Sequence, residues 1–283
     1  MGENRKIDEK RRVILKVSAF ADEISDDLQE QIKHLKANNV GFIELRSVAG
    51  KNVLDLSRSE IEQIRNQASD EGIGFSAIGS PLGKFPLDGY FTDQLDGLKK
   101  ALDYAARLNA PYIRMFSFYI PKDENPAQHR SQVLDWLGKM ALEAEKTDIV
   151  LAHENESGIY GDTGDRCLDI YEQIKSDSFT GIFDFANFVQ CNQHPYQDCW
   201  LKIKSYISYF HIKDAMITTG EVVPPGKGDG AVETILTEAI HDGFDNFLTL
   251  EPHLSVAEAN YGKTTSDLFK TATDALKEIL DRI

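Results

Sequence analysis

Apolar positions along this chain switch repeatedly between two periods. Short runs rich in β-branched and aromatic residues alternate with longer stretches in which apolar side chains recur every three or four positions. The first run, LKVSAF, covers residues 15–20. After Ser25, read as a helix N-cap, Leu28, Ile32 and Leu35 fall on one helical face, and FIEL follows at 42–45. Ser57 with Glu60 predicts a capping box opening the next helix, which Gly72 closes before GFSAIG at 74–79. A helix over 93–108 stops at Pro111, ahead of YIRMFSF at 112–118. The alternation continues with a helix at 133–145 and DIVLAHEN at 148–155, then a helix at 168–174 and TGIFDFANF at 180–188. It ends with a helix after Pro195, YFHIKDA at 209–215, a helix at 232–240, FLTLEPH at 247–253 and a last helix at 265–280.

Eight strand-then-helix units with no break in composition predict parallel strands joined by helical crossovers. Eight such units in 283 residues close naturally into a single-domain α/β fold, the (β/α)8 TIM barrel of roughly 250 residues. The rival, a doubly wound open sheet, usually carries a Gly-rich phosphate fingerprint after its first strand; SAFADEIS stands there instead. The charged opening, MGENRKIDEKRR, reads as a flexible arm over residues 1–12, leaving 13–283 for the barrel.

Charge narrows the partners. Forty-six acidic against 31 basic residues give a net charge of −15, which repels nucleic acid and acidic membrane surfaces. No apolar run approaches the roughly 20 residues of a membrane helix, and the first residues lack the apolar core of a signal peptide. Three cysteines without paired metal spacing fit a reducing compartment, so the expected location is cytoplasmic. The composition is compatible with a homo-oligomer.

Chemistry in such barrels gathers where strands end. The fifth run ends in His153, Glu154 and Asn155, and the sixth offers Asp184 and Asn187. The seventh offers His211, Lys213 and Asp214, the eighth Glu251 and His253. Glu154, Asp184, His211 and Glu251 are spaced by 30, 27 and 40 positions, each about one strand–helix repeat of roughly 30 residues. Singly, each has a plain structural use: a rim salt bridge for Glu154, a cap for Asp184, a hydrogen-bonded core imidazole for His211. Together they predict one ligand from each of four adjacent strands, because converging carboxylates repel unless a cation lies between them. Three carboxylates and an imidazole suit one divalent ion such as Mn²⁺, Mg²⁺, Co²⁺ or Zn²⁺. Arg46 and Arg114, at the ends of the second and fourth strands, are candidate anion holders or rim ion pairs. Glu44 is a candidate to accept a sugar hydroxyl or pair with Arg46. Phe20, Phe118 and Trp200 are candidates for an apolar wall over a sugar, core packing being their commoner use. PPGKGDG, residues 224–230, reads as a lid carrying Lys227 or as a surface loop.

LAHENE, FDFANF, FHIKDA, GKGDG and LEPH resemble the motifs of the xylose isomerase-like sugar phosphate isomerase/epimerase superfamily, over essentially the whole chain from SAFADEIS onward. The resemblance implies that Glu154, Asp184, His211 and Glu251 are metal ligands, with Glu154 and Glu251 exchanging protons with two faces of a substrate carbon. It implies that His153, Asn187, Lys213 and Lys227 contact substrate. Asn187 stands where ketose epimerases and abasic-site endonucleases of the superfamily commonly have a His. Asp229 is followed by Gly230 and Ala231, without the further His of the endonucleases, which argues against DNA repair. The implied activity is metal-dependent isomerisation or epimerisation of a ketose or keto-sugar, phosphorylated or not, by proton transfer through a metal-bound enediolate. The alternatives are dehydration or lysis of a keto-inositol or 3-keto-glycoside, and a sugar-binding barrel without turnover.

Overall fold

A computed structural model describes residues 15–254 and 264–283; the arm expected over residues 1–12 lies outside the described residues. Eight parallel strands form a closed barrel. They are β1 (Lys16–Ala19), β2 (Phe42–Leu45), β3 (Gly74–Gly79), β4 (Tyr112–Met115), β5 (Val150–Glu154), β6 (Phe179–Asp184), β7 (Ile207–Ile212) and β8 (Phe247–Leu250). Each pairs with its chain neighbour, and β8 closes on β1 with Lys16 opposite Phe247 and Ala19 opposite Leu250. The helices between them include α1 (Leu28–Ala37), α2 (Arg58–Asp70), α3 (Phe91–Leu108), α4 (Arg130–Ala144), α5 (Gly164–Gln173), α6 (Phe185–Gln190), α7 (Val232–His241) and α8 (Ser266–Leu280). No helix among the described residues is long and apolar enough to cross a membrane.

Strand alternation sorts the side chains into two compartments. Outward-facing Ile113, Leu151, Phe183, Phe210 and Leu248 join the helices in the main apolar layer. Inside, Ala77, Ala152, Ile182, Tyr209 and Phe247 pack with Phe42 and Tyr112 into a plug. Its aromatic rings meet at 5.1 Å, Tyr112 on Tyr209 and Phe42 on Phe247. Each large apolar side chain so buried contributes about 1.5–3 kcal/mol. Above the plug the interior turns polar, and the candidate site rests on it.

Local chemistry explains where the elements start and stop. The capping box at Ser57 and Glu60 forms as expected. The cap of α1 lies two residues beyond Ser25, at Asp27, whose carboxylate accepts from Gln29 N and Glu30 N. The run expected as strand over 180–188 breaks at Asp184, because the Asp184 side chain accepts from Asn187 N and turns the chain into α6. Between α6 and β7, Pro195–Trp200 forms a π-helical turn. The run 209–215 leaves the barrel after Ile212, and Asp214–Ala215 pairs antiparallel with Val222–Val223.

Candidate metal centre

Glu154, Asp184 and His211 sit at or near the carboxyl ends of β5, β6 and β7, and Glu251 is the residue after β8. Each offers a ligand atom within 4.8 Å of the others, and all four side chains are buried. Glu154 Oε1 lies 3.0 Å from His211 Nδ1, and Glu251 Oε2 lies 3.7 Å from the same nitrogen. The strand period puts Ala152, Ile182 and Tyr209, each two positions earlier, on the same inner face.

Asp184 divides its carboxylate between two tasks. Oδ1 accepts from Asn187 N at 2.8 Å and caps α6, while Oδ2 faces the cluster, 2.9 Å from Lys213 Nζ. Asn155 braces Asp184 from β5: its Oδ1 accepts from Asp184 N at 2.9 Å and its Nδ2 donates to Asp184 O at 3.0 Å. In the sequence Asn155 stands out only as a strand-end polar residue; an amide directly after a candidate ligand is the available signal.

Basic groups surround the carboxylates. Lys213 Nζ donates to Glu251 Oε2 at 3.0 Å. Arg114 Nη1 donates to Glu154 Oε2 at 3.2 Å, and its Nη2 reaches the Gly79 carbonyl at 3.1 Å. Arg46 Nη1 donates to Glu251 Oε1 at 3.1 Å and its Nε to Asp22 Oδ2 at 2.8 Å. Both guanidinium groups lie over the Phe20 ring, at 4.6 and 4.9 Å. Both arginines are therefore engaged by the chain's own carboxylates. Glu23 joins them, its Oε1 3.9 Å from Arg46 Nη2 and 3.2 Å from His253 Nε2; for Asp22 and Glu23 the sequence offers no signal beyond their place after β1.

These neighbours set the charges. Burial alone would raise the Glu154 carboxyl and lower the His211 imidazole. Against it, their mutual attraction, helped by Arg114 on the one and Glu44 on the other, holds Glu154 down at about 2 and lifts His211 to about 10. Burial likewise opposes ionisation of Glu251, but Lys213, His253, His211 and Arg46 hold it well below the ordinary range. Asp184 is pushed up to about 7, chiefly by burial, Lys213 opposing and the two glutamates adding repulsion.

The donor set fits a divalent ion. Asp184 Oδ2 and His211 Nδ1 are buried and make no hydrogen bond, although both face the centre of the cluster. A divalent ion there would satisfy both atoms and offset the repulsion between Glu154 and Glu251.

The residues expected to contact substrate occupy different places around the cluster. His153 faces outward between β5 and α5, as the residue before an inward Glu154 must; its Nδ1 is 3.3 Å from Tyr171 Oη, and Phe179 flanks the ring. Asn187 is nearly enclosed and donates through Nδ2 to Glu154 Oε1 at 3.3 Å and Asn155 O at 2.9 Å, so it holds a carboxylate. Glu44 does not meet Arg46; it is wholly buried beneath His211. Phe118 and Trp200 are core residues, Phe118 on Trp136 and Trp200 on Phe183 and Phe210, whereas Phe20 is buried at the cluster itself, against Arg46, Arg114 and His211.

Lys227 is exposed on a loop that is tied down. The Asp214 carboxylate accepts from the backbone N–H of Gly226, Gly228 and Gly230, each at 2.9 Å, and from Ala215 N. A Cβ on Gly228 would stand 2.5 Å from Asp214 Oδ1, and one on Gly230 2.6 Å from it. Gly228 and Gly230 are there for close approach to one carboxylate, which holds the segment in place.

A closed eight-stranded barrel with a buried carboxylate–imidazole cluster at the carboxyl ends of its strands defines the class. The sequence matches the xylose isomerase-like TIM barrel family over residues 32–279, and the chain belongs to that family. No curated protein matches it in sequence. Among solved structures it resembles a D-tagatose 3-epimerase-like protein (TM-score 0.76, 16% identity, covering 95% of this chain and 98% of that one). It also resembles the probable 3-DHS dehydratase AsbF of Bacillus anthracis (TM-score 0.74, 16% identity, 93% and 98%). A third likeness is the IOLI protein with a bound zinc atom (TM-score 0.74, 16% identity, 95% and 99%). At such identities the likeness is one of fold.

Proposed function

We propose that this protein is a divalent-metal-dependent isomerase or epimerase acting on a ketose or keto-sugar. The carrying observation is the pair Glu154 and Glu251, buried, both held ionised, and approaching His211 from two different strands. A metal ion held by Glu154, Asp184, His211 and Glu251 would polarise a carbonyl and acidify the neighbouring C–H.

Glu154 and Glu251 then act as opposed proton carriers. One removes the proton from the carbon beside the carbonyl, and the other returns one to the opposite face, giving epimerisation. Return to the adjacent carbon gives aldose–ketose isomerisation. Arg114, 3.2 Å from Glu154 and 4.0 Å from Glu251, steadies both carboxylates. Asn187 keeps Glu154 Oε1 oriented. Lys213, Arg46 and Arg114 are each held by carboxylates, which favours an uncharged sugar over a phosphorylated one.

The test is proton exchange. Protein loaded with Mn²⁺ is incubated with ketoses and keto-sugars in deuterated water, and label uptake is followed by NMR. The expected result is deuterium at the carbon beside the carbonyl, reduced by about 10²–10⁴-fold in Glu154→Gln and Glu251→Gln, the usual worth of a positioned acid or base. Full exchange in Glu154→Gln would defeat the assignment. Loss of water from the sugar would replace isomerisation by dehydration.

A further inference from the structure

We infer that Glu44 is a positioning residue that fixes the proton of His211 on Nε2 and so turns the Nδ1 lone pair into the metal cluster. The inference rests on the metal reading of the four-residue site.

Glu44 lies in β2, across the barrel from β7, and is wholly buried. Its Oε2 is 3.2 Å from His211 Nε2, and its Oε1 accepts from Tyr209 Oη at 3.2 Å. Neither lysine nor arginine pairs with it among the described residues. The other face of the imidazole is different: Nδ1 makes no hydrogen bond, and Glu154 Oε1 and Glu251 Oε2 lie 3.0 and 3.7 Å away.

A neutral imidazole has one N–H and one lone pair. Proton on Nε2 gives a hydrogen bond to Glu44 and a free lone pair at Nδ1. Proton on Nδ1 would set the Nε2 lone pair against the Glu44 oxygen and leave the ion without its nitrogen donor. The ring is also packed: Phe20 meets it edge-on at 5.1 Å and Tyr209 at 5.6 Å, which holds its plane with Nε2 toward Glu44 and Nδ1 toward the cluster. A carboxylate behind a ligating histidine orients the ring and raises its basicity as a donor, and losing one typically weakens metal binding by about 10–100-fold.

The experiment measures Zn²⁺ affinity by chelator competition in the wild type, Glu44→Gln, Glu44→Ala and Tyr209→Phe. It also reads the tautomer of His211 in Zn²⁺-loaded wild type by ¹⁵N NMR of the histidine side chains. Glu44→Ala is expected to bind Zn²⁺ about 10–100-fold more weakly. Glu44→Gln, which keeps an acceptor without the charge, is expected to fall between it and the wild type. Tyr209→Phe, which removes only Glu44's other contact, is expected to stay near the wild type. The NMR is expected to show Nε2 protonated and Nδ1 bound. Undiminished affinity in both Glu44 variants, or a proton on Nδ1 in the loaded wild type, would overturn the inference while leaving the metal site intact. Wild type that fails to bind Zn²⁺ would overturn both. If Glu44→Ala does not fold, Glu44→Gln and the wild-type spectrum still decide.

Discussion

Lys213 Nζ lies 2.9 Å from Asp184 Oδ2 and donates to Glu251 Oε2 at 3.0 Å, tying two of the four candidate ligands together. Burial works against its charge, but Asp184, Glu251 and Glu154 hold it firmly protonated. The ammonium is thus part of what lets this cluster exist before any ion arrives.

Replacing Lys213 by Met leaves two buried carboxylates without their shared cation. Breaking a buried pair costs about 3–5 kcal/mol, so chelator-treated Lys213→Met is expected to melt well below the wild type. Added Mn²⁺ is expected to recover a larger share of stability in the variant than in the wild type. Equal melting temperatures in chelator would show that Lys213 does not stabilise the cluster.

On the proposed metal reading, affinity is set by proton competition at His211. Its imidazole, lifted to about 10 by Glu154 and Glu44 against burial, is doubly protonated near neutrality when no metal is bound. A ligand nitrogen must lose that proton, so affinity is expected to rise with pH, by about tenfold per unit above roughly pH 7 for one proton displaced and more steeply below it, where Asp184, pushed up to about 7, gives up a proton too. Titration of Mn²⁺ on both sides of that pH checks it; a flat profile would exclude a proton-carrying His211 as ligand.

His153 has the opposite linkage. Burial depresses it to about 3 from its ordinary 6.5, Glu154 only partly opposing. A depressed pKa gives stability that is complete above 6.5 and lost as pH falls toward 3. One such group contributes a slope of about 1.4 kcal/mol per pH unit. Urea unfolding of His153→Gln at several pH values in that window is expected to show an acid limb shallower by that amount.

The tethered loop at residues 224–230 offers a steric test. Gly228→Ala would place its Cβ 2.5 Å from both Ala215 O and Asp214 Oδ1. Overpacking of this kind typically costs about 1–3 kcal/mol, and denaturant unfolding is expected to show that loss. Unchanged stability would mean that the segment shifts freely away from Asp214.

Much of the architecture was legible because it is periodic. The alternation of β runs with amphipathic stretches recurs eight times, and polar residues interrupting apolar strands at repeat spacing pointed to Glu154, Asp184, His211 and Glu251. What stayed hidden was pairing across the barrel. Arg46 meets Glu251 across 205 positions and His211 meets Glu44 across 167, and no local pattern encodes either contact. His153 is a different case. The strand period already separated it from Glu154, and the family motif obscured what alternation made plain. The strand expected through 188 ended at 184 because one side chain, Asp184, served as both site residue and cap.

That His153 and Glu154 are consecutive yet belong to opposite sides of the barrel wall makes β5 intolerant of slippage. A shift of one residue would carry the imidazole into the ionic basin and drive the carboxylate against the rings of Tyr171 and Phe179. Register in this stave is therefore guarded twice, by an oily exterior that rejects charge and by a charged interior that needs one. A single-residue deletion between 150 and 153 should cost the protein its fold before it costs any chemistry.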